Sequence, residues 1–298
     1  MNNFSIHFLD SVVTLHHELR ERTYCHGPYQ AFKLNDPKPR HIHKASVQDR
    51  LVHHAVYRVL YPYFDRKFIF DSYSCRNGKG THRAIQRLAA MAGQVSHNHT
   101  RTCWVLKCDV RKFFASIDQA VLIRILEKYI ANQDILWLLE NIIASFQTAP
   151  GKGLPLGNLT SQLFVNVYMH EFDQFMKRKL KVKHYIRYAD DFVILSEDKH
   201  SLVNILSTIE AFLLYELRLT LHPNKVSLRT FASGIDFLGW VSFPHHRVLR
   251  TTTKRGMFRR LEERPTFETM QSYLGLLQHG NAHRLTQKVL EVFAIKQP

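Results

Sequence analysis

Two adjacent carboxylates, Asp190 and Asp191, stand between two β-rich runs in His184-Tyr185-Ile186-Arg187-Tyr188-Ala189-Asp190-Asp191-Phe192-Val193-Ile194-Leu195. Neighbouring anions held together need a counter-charge, and a divalent cation supplies one. A second acid is placed in the same way, because the apolar run Cys103-Trp104-Val105-Leu106-Lys107-Cys108 ends on Asp109. One carboxylate from each of two strands can clamp a metal pair, the arrangement that in-line phosphoryl or nucleotidyl transfer uses for its attacking and leaving oxygens. Alone, Ala-Asp-Asp would read as an ordinary hairpin turn. The second acid turns the reading toward chemistry.

The elements that must hold these acids follow from pattern. Residues 184–195 read as strand, tight turn and returning strand. Successive strand residues point to opposite faces, so only the turn could bring both acids near one ion, and Asp190 is the better candidate for direct ligation. Upstream, Phe4, Phe8, Leu9, Val12, Val13 and Leu15 at helical spacing predict an amphipathic helix over residues 4–22, ended by Gly27-Pro28. Tyr29 to Lys44 is extended and basic, with Asp36-Pro37-Lys38-Pro39-Arg40 too proline-rich for a helix. A second helix is predicted from Gln48 to Leu60, stopping before Pro62, and others over Arg83 to Ala92, Gln119 to Tyr129, Leu163 to Leu180, Ser201 to Leu217, Met257 to Glu263 and Phe267 to Gln278.

Together these blocks resemble reverse transcriptases, with Tyr188-Ala189-Asp190-Asp191 as the signature and the likeness running from about Pro28 to about Leu277. The resemblance implies an α+β right-hand polymerase. Interleaved fingers and palm would occupy 1–245, the palm being an antiparallel sheet backed by helices, and a short basic helical thumb 246–298. It implies RNA-directed DNA synthesis on an RNA template from a DNA or RNA primer with dNTPs. Two Mg²⁺, with Mn²⁺ as a substitute, would be held by Asp109, Asp190, Asp191 and the main chain at Val110.

Further residues are carried over block by block. Arg76-x-Gly78-Lys79-Gly80 is a glycine loop whose amides and cations suit an anion. It is either a solvated basic loop or, as in related polymerases, the place of two fingers cations over the triphosphate; the second reading assigns Arg76 and Lys79. Arg111, Lys112, Phe113 and Phe114 follow the first acid in the nucleotide-binding block. The family's aromatic five residues beyond that acid, here Phe114, lies under the sugar and excludes a 2′-hydroxyl; the alternative is a core phenylalanine.

Gly151 to Gln162 resembles the block that packs against the incoming nucleotide and template base, with Leu156, Gly157 and Gln162 in its key places. Most reverse transcriptases have Gln at the place of Leu156 and Pro at that of Gln162. This version resembles the enzymes of diversity-generating retroelements, and group II intron enzymes look more distant. Lys225 matches the lysine proposed to protonate the leaving pyrophosphate, or is a surface lysine. Phe237-Leu238-Gly239-Trp240 matches the primer grip. Lys177, Arg178, Lys179, Lys181 and Lys183 either form a solvated face or track a phosphate backbone. Arg255, Arg259 and Arg260 fall in a C-terminal segment whose basic helices would close over the duplex.

The 298 residues carry 41 Lys and Arg against 25 acids, a formal charge of +16 that favours a polyanionic partner. The four cysteines make no Cys-x-x-Cys pair, which disfavours a zinc site or disulfide framework and fits a cytoplasmic setting. The histidine pairs lack acidic or cysteine partners at ligand spacing and read as surface or RNA-facing residues. No apolar run of about 18 residues and no signal-peptide pattern appear, so no membrane partner is expected, and no RNase H, maturase or endonuclease domain either. A small basic accessory protein or a structured non-coding RNA is a further expected partner. Within the enzyme class the alternatives are a defence-associated bacterial or a group II intron-like reverse transcriptase. Outside it, the alternative is a catalytically idle RNA-binding protein, which the presence of all three acids disfavours.

Overall fold

The computed structural model describes residues 8–34 and 39–296. Phe4 of the predicted first helix and Asp36 to Lys38 of the proline-rich stretch lie outside the described residues. Helix α1 (Phe8–Arg20) is followed by the antiparallel hairpin β1 (Gln30–Leu34) and β2 (Arg40–Lys44). Helix α2 (Val47–Asp65) starts where the Ser46 hydroxyl accepts the Asp49 N–H at 3.1 Å. It passes through Pro62, where a stop was expected. The proline removes one helical hydrogen bond, but burial of Tyr61 and Phe64 in the next turn outweighs that loss.

Next come α3 (Thr81–Val95), β3 (Trp104–Asp109), the short α4 (Phe113–Ser116) and α5 (Gln119–Glu127), capped by the Asp118 carboxylate. Helix α6 (Gln133–Ala144) was not expected, although Leu136, Leu139, Ile142 and Ile143 recur at helical spacing and Asn132 caps its first turn. Helix α7 (Leu159–Gln174) runs into one π-helical turn over Phe175–Lys179 and leads to β4 (Tyr185–Tyr188) and β5 (Asp191–Ser196). Helix α8 (Lys199–Leu217) precedes β6 (Ser227–Thr230), and a second small sheet of β7 (Ile235–Phe237), β8 (Trp240–Ser242) and β9 (Arg247–Leu249) leads into α9 (Thr251–Glu263), α10 (Phe267–Leu277) and α11 (His283–Lys296).

The central sheet is antiparallel in the order β4-β5-β3-β6. Its two faces enter different cores, as the two-residue period of a strand requires. Leu106, Cys108, Phe192 and Ile194 join the core built with α2, α5, α6, α7 and α8. Val105, Ile186, Val193 and Leu195 join a second core with α3, the small sheet and the C-terminal helices, through Trp240, Met257, Leu277 and Val289. Held from both sides, the sheet is a rigid platform for whatever stands at its edge.

Candidate active site

The pairing register sets Asp109, the last residue of β3, directly across from Asp191, the first of β5. Asp190 occupies the two-residue turn between β4 and β5, and its carbonyl accepts the Val110 N–H at 3.2 Å. In that turn Ala189 takes φ 54°, the left-handed region normally left to glycine. Two carboxylates thus come from strand ends and the third from the turn, whereas the sequence reading placed both Asp190 and Asp191 at the tip; Asp191 is instead the first paired residue of β5.

The acids lie close enough to disturb one another. Burial, followed by the Asp109 charge, pushes the Asp190 carboxyl up to about 6, while Lys225 and Arg40 pull it back. Burial pushes Asp191 up to about 7, opposed mainly by Lys107, whose Nζ lies 3.3 Å from Asp191 Oδ2. Lys225 Nζ donates to Asp109 Oδ1 at 2.8 Å. Its loop is fixed by main-chain bonds from Arg111 to Thr220 and from His222 to Asp109. Asp191 Oδ1 is buried and has no hydrogen-bond partner among the described residues.

An all-oxygen donor set with an orphaned acceptor and carboxyls short of positive charge fits a hard divalent cation. Among the described residues no group of three acid, His or Cys side chains already stands in ligating arrangement, and lysines hold two of these acids as they stand.

The β1–β2 hairpin docks on the loop before α7. Leu156 O accepts the His43 N–H at 2.9 Å, and Asn158 Nδ2 donates to His43 O at 2.8 Å instead of capping α7. Gly157 has φ 104°, and a Cβ there would come within 2.7 Å of Ile42 Cγ2, so the loop and β2 approach as only glycine permits. Leu156 and Gln162 are half-buried beside this junction. The hairpin carries Arg40 to where its charge acts on Asp190.

That arrangement corrects two expectations about the Gly-Lys-Gly loop. Arg76 is nearly buried, its guanidinium donating to Asp65 Oδ1 and to the carbonyls of Asp65, Ile69 and Ser72. Lys79 donates to Phe70 O at 2.7 Å and lies 3.5 Å over the Phe70 ring. Both cations fold the loop onto itself, whereas Lys225, Lys107 and, from the hairpin, Arg40 are the cations whose charge reaches the acids. Phe113 is likewise a core residue, while Phe114, in edge contact with it, remains half-exposed after the exposed Arg111 and Lys112.

The model of the family described as reverse transcriptase (RNA-dependent DNA polymerase) matches residues 33–242. The chain belongs to that family. Protein YkfC of Escherichia coli (strain K12) is 24% identical over 252 residues, covering 72% of this chain and 64% of YkfC. The group II intron-encoded protein LtrA of Lactococcus lactis subsp. cremoris is 24% identical over 174 residues, 55% of this chain and 28% of LtrA. Apo telomerase from Candida tropicalis superposes with a TM-score of 0.59 at 10% identity, over 91% of this chain and 57% of that one. The chain thus spans less than two thirds of each, and the telomerase likeness is one of fold. That fold is the right-hand polymerase, with the central sheet as palm and α9–α11 as the helical thumb.

The block expected to be the primer grip forms the β7–β8 turn, where Leu238 and Gly239 both take positive φ, 53° and 88°. Phe237 and Trp240 were expected to share the grip, but both are buried and anchor the turn from below. A Cβ at Gly280 in the thumb would overlap the Trp240 ring, so thumb and grip are in direct van der Waals contact. Lys107, which sequence reading missed, links the grip to the site: its Nζ donates to Asp236 O at 2.7 Å while facing Asp191.

In the basic run after α7 one cation is already engaged. Lys177 Nζ donates to the carbonyls of Val182 and Lys183 and closes the π turn. Arg178, Lys179, Lys181 and Lys183 are exposed, but they stand at the far end of the β4–β5 hairpin from the Ala189-Asp190 turn. Adjacent in sequence, the run is separated from Asp190 by the length of the strands, about 20 Å. Arg255, Arg259 and Arg260 lie on the exposed side of α9. No helix among the described residues is long and apolar enough to cross a membrane.

Proposed function

We propose that this chain is an RNA-directed DNA polymerase that copies an RNA template from the 3′ end of a DNA or RNA primer using dNTPs. The observation that carries the reading is the meeting of Asp109, Asp190 and Asp191 at one edge of the palm sheet, with one buried carboxylate oxygen left unpartnered. Two Mg²⁺, or Mn²⁺ in their place, would be held by Asp109, Asp190, Asp191 and the main chain at Val110, and would supply activation of the 3′-hydroxyl and charge neutralisation at the departing pyrophosphate.

The chain's own residues do the rest. Arg40 offers positive charge to the triphosphate, with the exposed Arg111 and Lys112 beside the acids. Lys225 carries protons next to Asp109 and can give one to the pyrophosphate as its bond to the α-phosphorus breaks. Phe114 excludes a 2′-hydroxyl, the Leu238-Gly239 turn positions the primer end, and the cations of α9 follow the phosphates of the duplex. Fingers and palm are taken as 1–245 and the thumb as 246–298. The test is extension of a labelled primer on an RNA template; a folded chain that binds the primed template yet adds no nucleotide with Mg²⁺ or Mn²⁺ would overturn the reading.

Within that reading the chain is the error-prone enzyme of a diversity-generating retroelement. An aliphatic Leu156 replaces an amide able to hydrogen-bond the incoming nucleotide, so right and wrong nucleotides differ there mainly in shape. The likeness to LtrA favours a second reading, a group II intron-like enzyme. Deep sequencing of cDNA made from one defined RNA separates them. Excess errors at template adenines, reduced several-fold by Leu156→Gln, support the first; errors no higher at adenines than elsewhere support the second. Four unpaired cysteines are in keeping with a cytoplasmic setting, and nucleic acid and protein that co-purify with the chain would reveal its template and any small basic accessory protein.

A further inference from the structure

Arg187 is the most deeply buried cation of the palm, and its guanidinium and the Asp173 carboxylate are both fully withdrawn from solvent. Nε donates to Asp173 Oδ1 at 2.8 Å, and Nη2 to Asp173 Oδ2 at 2.6 Å and Ser72 Oγ at 3.1 Å. Nη1 donates to Ala189 O at 3.0 Å and Asn166 Oδ1 at 3.4 Å. Tyr185 Oη adds a third donor to Asp173, at 2.7 Å on Oδ1. The main chain of Arg187 is pinned as well: its N–H donates to Asp71 O and its carbonyl accepts the Tyr73 N–H, both at 2.9 Å.

Most of this network is what any buried charge requires. Asp173 accepts from only Nε and Nη2, so the three remaining N–H groups of a fully buried guanidinium need other acceptors, and one of those chosen is the carbonyl of the turn itself, Ala189 O. Ala189 is the residue that takes φ 54° to turn the chain into Asp190. A non-glycine residue in that region is held there only by its surroundings. Buried ion pairs stabilise a fold little compared with apolar residues of the same volume, so a charged fork in this position is more informative about geometry than about stability.

We propose that Arg187 is a positioning residue for catalysis: it clamps the strained turn carrying Asp190 to α7 through Asp173 and Asn166, and to the 71–73 segment through Ser72. The inference rests on the polymerase reading, since it assigns Arg187 to the geometry of a catalytic acid. Without the clamp the turn is free to relax and Asp190 to leave its working position, while the template surface and the nucleotide pocket stay intact.

The experiment compares wild type, Arg187→Lys and the apolar replacement Asp173→Leu/Tyr185→Phe/Arg187→Met on a primed RNA template. Melting temperature, primer–template Kd, KM for dNTP and kcat per folded molecule are read for each. Arg187→Lys keeps the charge but loses the fork, and the triple variant keeps the packed volume without charge. The expected result in whichever of them folds is a kcat at least tenfold lower, with Kd and dNTP KM within twofold of wild type. A purely structural pair predicts a shifted melting temperature and an unchanged kcat per folded molecule. A kcat within twofold of wild type in either variant overturns the inference and leaves the polymerase reading standing, whereas a wild type that cannot extend the primer overturns both.

Discussion

Asp173 is fully buried and Asp191 half-buried in the same palm, and the fold treats the two carboxylates in opposite ways. Asp173 receives three charge-matched or hydroxyl donors, two from Arg187 and one from Tyr185, and both oxygens are satisfied. Asp191 has Lys107 at 3.3 Å on one oxygen and no hydrogen-bond partner on the other among the described residues. A satisfied buried acid holds structure together; an unsatisfied one stores unfavourable electrostatics that a ligand can relieve. The adjacent phenylalanines repeat the lesson in apolar form, Phe113 closed into the core and Phe114 left half-open at the cleft.

The largest effect expected from this contrast is at the turn. Asp190→Asn removes a candidate metal ligand but no basic surface, and primer extension should fall at least about a thousandfold, which is about 4 kcal/mol of transition-state stabilisation. Melting temperature and template affinity should stay near wild type. Asp173→Asn should show itself in stability, which Asp190→Asn leaves alone: leaving Arg187 buried without its charge partner costs about 3–5 kcal/mol, seen as a lowered denaturation midpoint, and the loosened clamp should lower kcat per folded molecule as well. If Asp173→Asn melts like wild type, the division into satisfied and unsatisfied acids does not hold.

Next in size are the two rings. Phe114→Val should lower the ratio of kcat/KM for a deoxynucleotide over its ribonucleotide by roughly 10–100-fold, the range over which an apolar pocket discriminates by shape. Phe113→Ala should leave that ratio alone and cost about 3–5 kcal/mol of stability as a core truncation. An unchanged ratio in Phe114→Val would return Phe114 to the core and place the gate elsewhere.

Much of the palm was legible because its signals are local. The two β-rich runs within residues 184–195, the acids at strand ends and the glycine-marked turns all follow from short-range geometry. What stayed hidden depends on distant pairing. Nothing near Arg40 in sequence says that β2 will dock on Leu156 and Gly157 and carry a cation to Asp190. Arg76 and Lys79 had the right residue types for a phosphate loop, but the Asp65 carboxylate and the Phe70 carbonyl, to which the sequence assigns no role, claim them first. Pro62 misled for a related reason, since the burial of Phe64 is a tertiary fact and the proline a local one.

The smallest effect is expected at the far end of the catalytic hairpin, where the basic run tests whether charge alone marks function. Arg178, Lys179, Lys181 and Lys183 lie about 20 Å from the acids along the strands, well beyond a screening length of about 8 Å at physiological salt. Replacing all four with alanine should therefore leave kcat unchanged. It should also leave the salt dependence of primer–template binding alone, because each lost phosphate contact would lower the log-log slope by about 0.7–0.9. Arg255→Ala with Arg259→Ala, on the exposed side of α9, should lower that slope by about one to two contacts' worth. The opposite outcome, a slope moved by the run and not by α9, would mean that the nucleic acid crosses the back of the palm. The unsatisfied acids would then mark the chemistry without marking the path of the template.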